Sequence, residues 1–434
     1  MVRSRSIRSG GRWLIRTMGV VVLAGSGLLP ATSVAAAEPS DMVLDWNANA
    51  INAIGNANGA TPPGLNQVPP LAGLHLAMVH GAIYDAVNSI DRGHQPYLGW
   101  ISAPAGASKA AAAATAAHDV LVGLVPASLP NVTDSLDALY AASLAAIGDG
   151  QAKTDGIGVG RAAAAAMLAN RAGDGRTGTR TFDVGTLPGE WRPVPPLNNN
   201  VFSWVGEVRP FSLRSGDQLR TTPPPALTSA QYATEFNEVK ALGAQTGSSR
   251  TPAQQALSSF IVANPFGFVN RMFQELARQR HLSTAQQARL FAMTALSSAD
   301  AFIACFNNKD YYSFWRPQTA IRLAAEDGNP ATIADATWTS QFPTPGYPDM
   351  PSGYNCFAGA MMQAGRSFFG TDFVSFDLVG PTTRHYVRFT DYVRDAIDGR
   401  ILTGFHFRSA DVAGAWVGKK AAQWVAKHEF APLG

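Results

Sequence analysis

Leu71 to Ile90 reads LAGLHLAMVHGAIYDAVNSI, and its apolar residues return every three or four positions. That spacing follows the 3.6-residue turn rather than the alternation of a half-buried strand, so the stretch predicts a helix with an apolar face. The pattern spreads in both directions. Trp46–Asn56 is amphipathic, Lys109–Leu124 is alanine-rich around His118, and Ser135–Ile147 and Gly158–Arg171 continue with small residues suited to close helix packing. Further on, helices are predicted at Tyr232–Leu242, Pro252–Ala263, Phe268–Gln279 and Thr284–Phe306. Strand signals are weak throughout and no internal repeat is evident. The expected fold class is all-α, a helical bundle.

The chain divides into four stretches. Residues 1–37 have the form of a signal peptide: Arg3, Arg5, Arg8, Arg12 and Arg16, then an apolar run from Met18 to Leu29, then Ala35-Ala36-Ala37 before Glu38 as the mature start. The arginines are not adjacent, so a twin-arginine route is not indicated, and the apolar run is short of the about 20 residues a membrane span needs. An exported protein without a membrane span, periplasmic or extracellular, is expected. Residues 38–172 form an N-terminal helical region, and residues 229–434 form a C-terminal one. Between them, residues 173–228 are irregular and rich in proline, glycine and aromatic residues. Trp191, Phe202, Trp204 and Phe211 are too apolar for a free linker, so this stretch should pack against the protein, with the mouth of a site as one place for it.

Composition narrows the function classes. Of 434 residues, 46% are hydrophobic and 15% charged, as suits a compact enzyme-like protein. The net charge of +3 comes without a dense Lys/Arg block, so nucleic acid is not an expected partner. Cys305 and Cys356 are the only cysteines; they read as two buried small residues or as one bridge between two helices.

Three short motifs carry chemistry. In NKDYYSFWRPQTA (308–320), Lys309 and Arg316 lie seven residues apart and would share one face of a continuous helix that Pro317 ends or bends. Two cations among aromatic residues are costly to bury unless an anion meets them. In YPDMPSGYNCFAG (347–359), Pro351-Ser352-Gly353 looks like a helix start, where the Ser352 hydroxyl and the Gly353 amide could donate to an oxyanion or Ser352 could serve as an ordinary cap. In GRILTGFHFRSADVAG (399–414), Arg400 offers a two-pronged oxyanion donor and His406 a neutral imidazole, with Gly404 allowing close approach between them. His75 and His80, five apart, fall on different helix faces; His118 reads as a buried hydrogen-bonded residue, and His385 and His428 as superficial.

Taken in this order over about one hundred residues, Lys-x6-Arg-Pro, Pro-Ser-Gly and Arg-x5-His resemble the signature of the vanadium-dependent haloperoxidase and type 2 phosphatidic acid phosphatase superfamily. HLAMVHGAIYDAVNSI, AAHDVLVGLVP, DAFIACFNNKDYYSFWRP and GKKAAQWV are similar to its exported bacterial haloperoxidase-like branch. The resemblance implies an all-helical bundle holding vanadate, with phosphate as a competing oxyanion. It implies that Lys309, Arg316 and Arg400 neutralise the equatorial oxygens, that Ser352 and the Gly353 amide hydrogen-bond them, and that His406 binds vanadium axially. Hydrogen peroxide, halide and a small organic acceptor would be the reactants, with Lys309 polarising peroxide toward halide attack. The alternatives are a soluble acid phosphatase with His406 as nucleophile and a non-catalytic oxyanion-binding homologue.

Two positions depart from the family pattern. Tyr354 stands where the family has an acid–base histidine, and a phenol is a poor base at neutral pH though still a donor. It would donate to the bound oxyanion or merely fill space. Asp411 follows His406 by five residues instead of the family's four, so it would reach the imidazole only across a loop or wide helical turn.

Overall fold

The helix expected at Leu71–Ile90 runs as α2 from Pro69 to Asp91 in the computed structural model, and it is buried along almost its whole length. The structure describes residues 41–55, 64–263 and 265–433, so the leader assigned to 1–37 lies outside the described residues. A proline at the first turn of α2, where an N–H has no intrahelical partner to lose, sets its start. It is followed by α3 (Lys109–Leu124), α4 (Pro130–Ala145) and α5 (Gln151–Asn170), and preceded by α1 (Met42–Gly55). The alanines of α3 let α2 and α5 approach on either side. A methyl group at Gly160 of α5 would come within 2.5 Å of the Ala112 carbonyl oxygen, which is why that face carries no larger residue.

The second half contains α6 (Ala230–Leu242), α7 (Pro252–Val262), α8 (Pro265–Gln279), α9 (Thr284–Tyr312), α10 (Pro317–Arg322), α11 (Gly353–Phe369), α12 (Phe389–Leu402) and α13 (Arg408–His428). Capping boxes at Thr251/Gln254 and Ser283/Gln286 start α7 and α9. The 29-residue α9 packs on α2, α11 and α13. It is the one helix among the described residues long and apolar enough to cross a membrane, and 94% of its apolar window is buried inside the bundle.

Among the described residues the architecture is all-α with one exception. Phe376–Val379 and Thr383–Tyr386 pair antiparallel, Phe376 opposite Tyr386 and Val379 opposite Thr383. Four-residue strands give too little alternation to stand out in sequence, and here only Phe376 and Leu378 point inward on the first. Residues 173–228 hold a single 3-10 turn, Ser203–Glu207, and are tied to α9. The Asp300 carboxylate accepts from the amides of Phe211, Ser212 and Leu213, while Trp191, Phe211 and Trp204 are buried as their apolar character required.

Candidate oxyanion site

Lys309 and Arg316 do not share a helix face. α9 ends at Tyr312, Ser313 turns into the left-handed region at φ 40°, and Arg316 is the extended residue that precedes α10. Pro317 therefore begins a helix instead of ending one, since proline fits the first helical position. The turn delivers Arg316 beside Lys309 by another route. Both side chains are fully buried, and the Tyr347 ring lies 5.0 Å from each charge.

Each cation is held with donors to spare. Lys309 Nζ donates to the carbonyls of Pro348 (2.6 Å) and Asp349 (3.0 Å), leaving one of its three N–H groups. Burial brings its pKa down to about 8, so it remains mostly charged at neutral pH. Arg316 Nε donates to Tyr347 O and Nη1 to Phe405 O, but its buried Nη2 has no partner. Arg400, on the last turn of α12, stacks with its guanidinium carbon 4.5 Å from the Phe405 ring and 5.2 Å from the Tyr354 ring, and its buried Nε has no partner either.

Ser352 begins α11 as its N-cap, yet its side chain makes no cap hydrogen bond. Instead Asn355 Nδ2 approaches its Oγ at 3.4 Å, the same amide that donates to Asp411 at 2.8 Å. The first turn of α11 thus keeps its amide end free of a side-chain cap, with the positive end of the helix beside the cations.

His406 sits in the loop between α12 and α13, 1% exposed. Gly404 makes the loop possible: its φ is +78°, and a methyl there would lie 2.5 Å from the Gly243 carbonyl oxygen. The orienting carboxylate is Asp349, not Asp411. Asp349 Oδ1 lies 2.8 Å from His406 Nδ1, whereas Asp411, at the start of α13, points toward α11 and accepts from Asn355 at 2.8 Å. One extra residue after the histidine carries Asp411 away from the imidazole, and the chain before Ser352 supplies the substitute. Burial, then the charges of Arg316, Arg400 and Lys309, hold the His406 pKa well below its ordinary value, so the ring is neutral. With Asp349 accepting at Nδ1, the lone pair falls on Nε2, which faces Arg316 Nη1 at 3.1 Å. Burial raises Asp349 to about 7, against the pull of Arg316 and Lys309.

Tyr354 lies one residue into α11 from Gly353, and its hydroxyl is 2.9 Å from that of Tyr392. Burial pushes its pKa up to about 12, so it keeps its proton at neutral pH. Above this floor opens a cavity of about 530 Å³, reached by Gly353, Tyr354 and Arg400 and walled by Phe202, Phe342 and Phe405. Phe202 brings the irregular segment to the mouth of the site.

All six residues predicted to hold an oxyanion therefore converge. Tyr347, Asp349 and Asn355 were missed. All three lie in YPDMPSGYN, immediately around the serine motif, and the acid in a buried proline-rich turn was the available signal. Among the remaining histidines, His75 bonds Gln67 and His80 bonds Asn47, each buried, while His118 is held between Asp119 and Asp137; His385 and His428 are exposed. Among the described residues no group of three His, Cys, Asp or Glu side chains is placed to hold a metal cation.

The site is thus a buried cluster of three cations around a neutral imidazole, with Arg316 Nη2 and Arg400 Nε unpartnered and Arg400 lining a cavity, in a helical protein. Comparisons with known proteins point the same way. Residues 289–433 match the family of the second helical-bundle domain of vanadium chloroperoxidase. The vanadium chloroperoxidase of Curvularia inaequalis is 25% identical over 209 residues, a match covering 41% of this chain and 34% of that protein, about a third of its length. Among solved structures, a bacterial vanadium-dependent iodoperoxidase superposes with a TM-score of 0.71 at 21% identity, covering 90% of this chain and 96% of that one. A bacterial vanadium-dependent chloroperoxidase in its holo form gives 0.67 at 16% identity, over 89% and 96%. Residues 289–433 thus match that family over about a third of the chain, and the fold is shared with bacterial vanadium-dependent haloperoxidases.

Proposed function

We propose that this chain is a haloperoxidase that holds vanadate in the Lys309–Arg316–Arg400 cradle and oxidises halide with hydrogen peroxide. The observation that carries the reading is the pair of buried, unpartnered guanidinium nitrogens, Arg316 Nη2 and Arg400 Nε, beside a neutral His406. A buried donor without an acceptor costs about 1–3 kcal/mol, and more when charged, so such atoms imply an anion that completes them. The cradle fits vanadate by donor chemistry: three cations, the uncapped start of α11, and an imidazole nitrogen with a lone pair. When bound, vanadate would supply the Lewis acidity that activates peroxide toward halide.

The chain's own residues do the rest. Lys309, Arg316 and Arg400 bind and neutralise oxygens, Ser352 and the Gly353 amide orient them, and Asp349 fixes His406 with its lone pair at Nε2. Tyr354 holds its proton and shields Arg400 with its ring. The aromatic cavity admits a small organic acceptor and limits water around the floor. The leader at 1–37 would direct the protein out of the cytoplasm.

Tyr354 favours one competing reading, a non-catalytic oxyanion-binding homologue, because a phenol pushed up to about 12 neither deprotonates peroxide nor protonates a leaving alcohol with ease. One experiment separates these. Purified protein is loaded with orthovanadate and assayed for peroxide-dependent bromination of a phenolic dye, beside hydrolysis of p-nitrophenyl phosphate. Bromination that disappears in His406→Ala supports the haloperoxidase. Phosphate ester hydrolysis alone would replace it with an acid phosphatase, and silence in both with vanadate still bound would leave a binding protein.

A further inference from the structure

We propose that Cys305 and Cys356 form a peroxide-responsive dithiol whose oxidation to a disulfide weakens oxyanion binding in the cradle. Both side chains are fully buried, and they face each other where α9 packs on the start of α11, close enough to interact electrostatically. Their place in the fold gives the pair its meaning. Cys305 is one helical turn before Lys309 on α9, and Cys356 is one turn into α11, its amide donating to the Ser352 carbonyl at 3.0 Å. Cys305 Sγ also donates to Pro351 O at 3.6 Å. The pair therefore links the two helices whose ends present Lys309 on one side and Ser352 with Gly353 on the other.

The thiol lies close behind the cavity. Gly353 lines the cavity, and a methyl group there would meet Cys305 Sγ at 4.0 Å as its nearest neighbour, so no side chain at 353 stands between them. Hydrogen peroxide is small enough to cross that distance. In the first step the Cys305 sulfur attacks one peroxide oxygen; the O–O bond breaks, a sulfenic acid forms, and the second oxygen leaves as water after taking a proton. In the second the Cys356 sulfur attacks the sulfenic sulfur, forming the S–S bond and releasing a second water. Two thiols are oxidised and one peroxide is reduced to two waters.

A disulfide holds its sulfurs at about 2.05 Å, much closer than two unbonded thiols in contact, so closure draws α9 against the first turn of α11. Lys309 lies near the end of the first of these elements and Ser352 with Gly353 at the start of the second, so these oxygen-binding groups shift relative to one another and to the rest of the cradle. Displacements of this size in a pre-organised site lower affinity by about tenfold or more.

The test uses the full-length protein and inorganic phosphate as probe. Reduced protein is exposed to stoichiometric peroxide, denatured in acid, alkylated and weighed, while a parallel sample is titrated with phosphate. The expected result is loss of both alkylatable thiols, a Cys305–Cys356 cross-linked peptide, and a phosphate Kd raised about tenfold and restored by dithiothreitol. Cys356→Ser should bind phosphate like the reduced protein and show no dithiothreitol-reversible shift. Thiols that stay alkylatable after peroxide overturn the proposal, as does a disulfide that leaves phosphate affinity unchanged. Reduced protein that binds no phosphate overturns the cradle reading and the coupling with it, while the mass measurement still reports separately whether the thiols pair.

Discussion

Arg171 and Arg316 are both fully buried arginines, and they are buried for different reasons. Arg171, just past the end of α5, donates from Nε to Asp174, from Nη1 to Pro210 O and from Nη2 to Arg209 O, with the Phe211 ring 3.9 Å from its guanidinium carbon. Asp300 nearby is likewise saturated by three backbone amides. In the cradle, Arg316 Nη2 and Arg400 Nε are buried without acceptors, and three cations crowd around a neutral histidine with Asp349 3.7 Å from Arg316 and Asp411 on the Arg400 side. The first network closes on itself and holds the irregular segment to the core. The second leaves buried donors without acceptors in the protein. Burial alone does not separate a structural charge from a binding one, whereas the tally of filled donors does.

Changes at the two networks should therefore differ in kind. Arg171→Met leaves Asp174 with Arg176 alone and strips the Arg209 and Pro210 carbonyls of their donors, so it should cost about 3–5 kcal/mol in urea denaturation while leaving phosphate affinity unchanged. Next in size, Asp349→Asn should raise the vanadate Kd about 10- to 100-fold by loosening the orientation of His406. Direct titration with orthovanadate checks this, and an unchanged Kd would remove Asp349 from the site.

A third test separates two buried neutral histidines. Burial lowers His80 to about 3, against an unfolded value near 6.5. Above pH 6.5 both states are neutral; below it the unfolded chain takes a proton that the folded one refuses until about pH 3, so stability falls with pH across that window. The slope should approach about 1.4 kcal/mol per pH unit for this group, and His80→Gln should reduce it by that amount without altering oxyanion binding. The smallest stability change is expected for Arg400→Met. It removes a cation that repels Arg316 but also the charge that favours the buried Asp411 carboxylate, so the two effects oppose and unfolding should shift little while phosphate binding collapses.

Much of this was legible in the sequence. The periodicity of Leu71–Ile90 and the alanine-rich runs gave helices in nearly their observed places, because buried amphipathic helices write their packing face into the residue spacing. Lys309, Arg316, Ser352, Gly353, Arg400 and His406 were likewise legible as three motifs. Their routes to the site were less so: Arg316 arrives through a left-handed turn at Ser313, which a helical reading of seven residues cannot foresee. Asp349 escaped notice because its role depends on a contact 57 residues away in sequence, and a lone carboxylate in a proline-rich turn looks like surface. The short hairpin at Phe376–Tyr386 escaped for want of length.

The account turns on whether the cradle binds a tetrahedral oxyanion. Calorimetric titration of the vanadate-free protein with inorganic phosphate and with orthovanadate, repeated on Arg316→Met and Arg400→Met, tests it most directly. One saturable site per chain is expected, with about 2.7 kcal/mol of added stability at a hundredfold excess over Kd and loss of binding in both variants. Wild-type protein without a saturable site, or Arg400→Met binding as tightly as wild type, would contradict it.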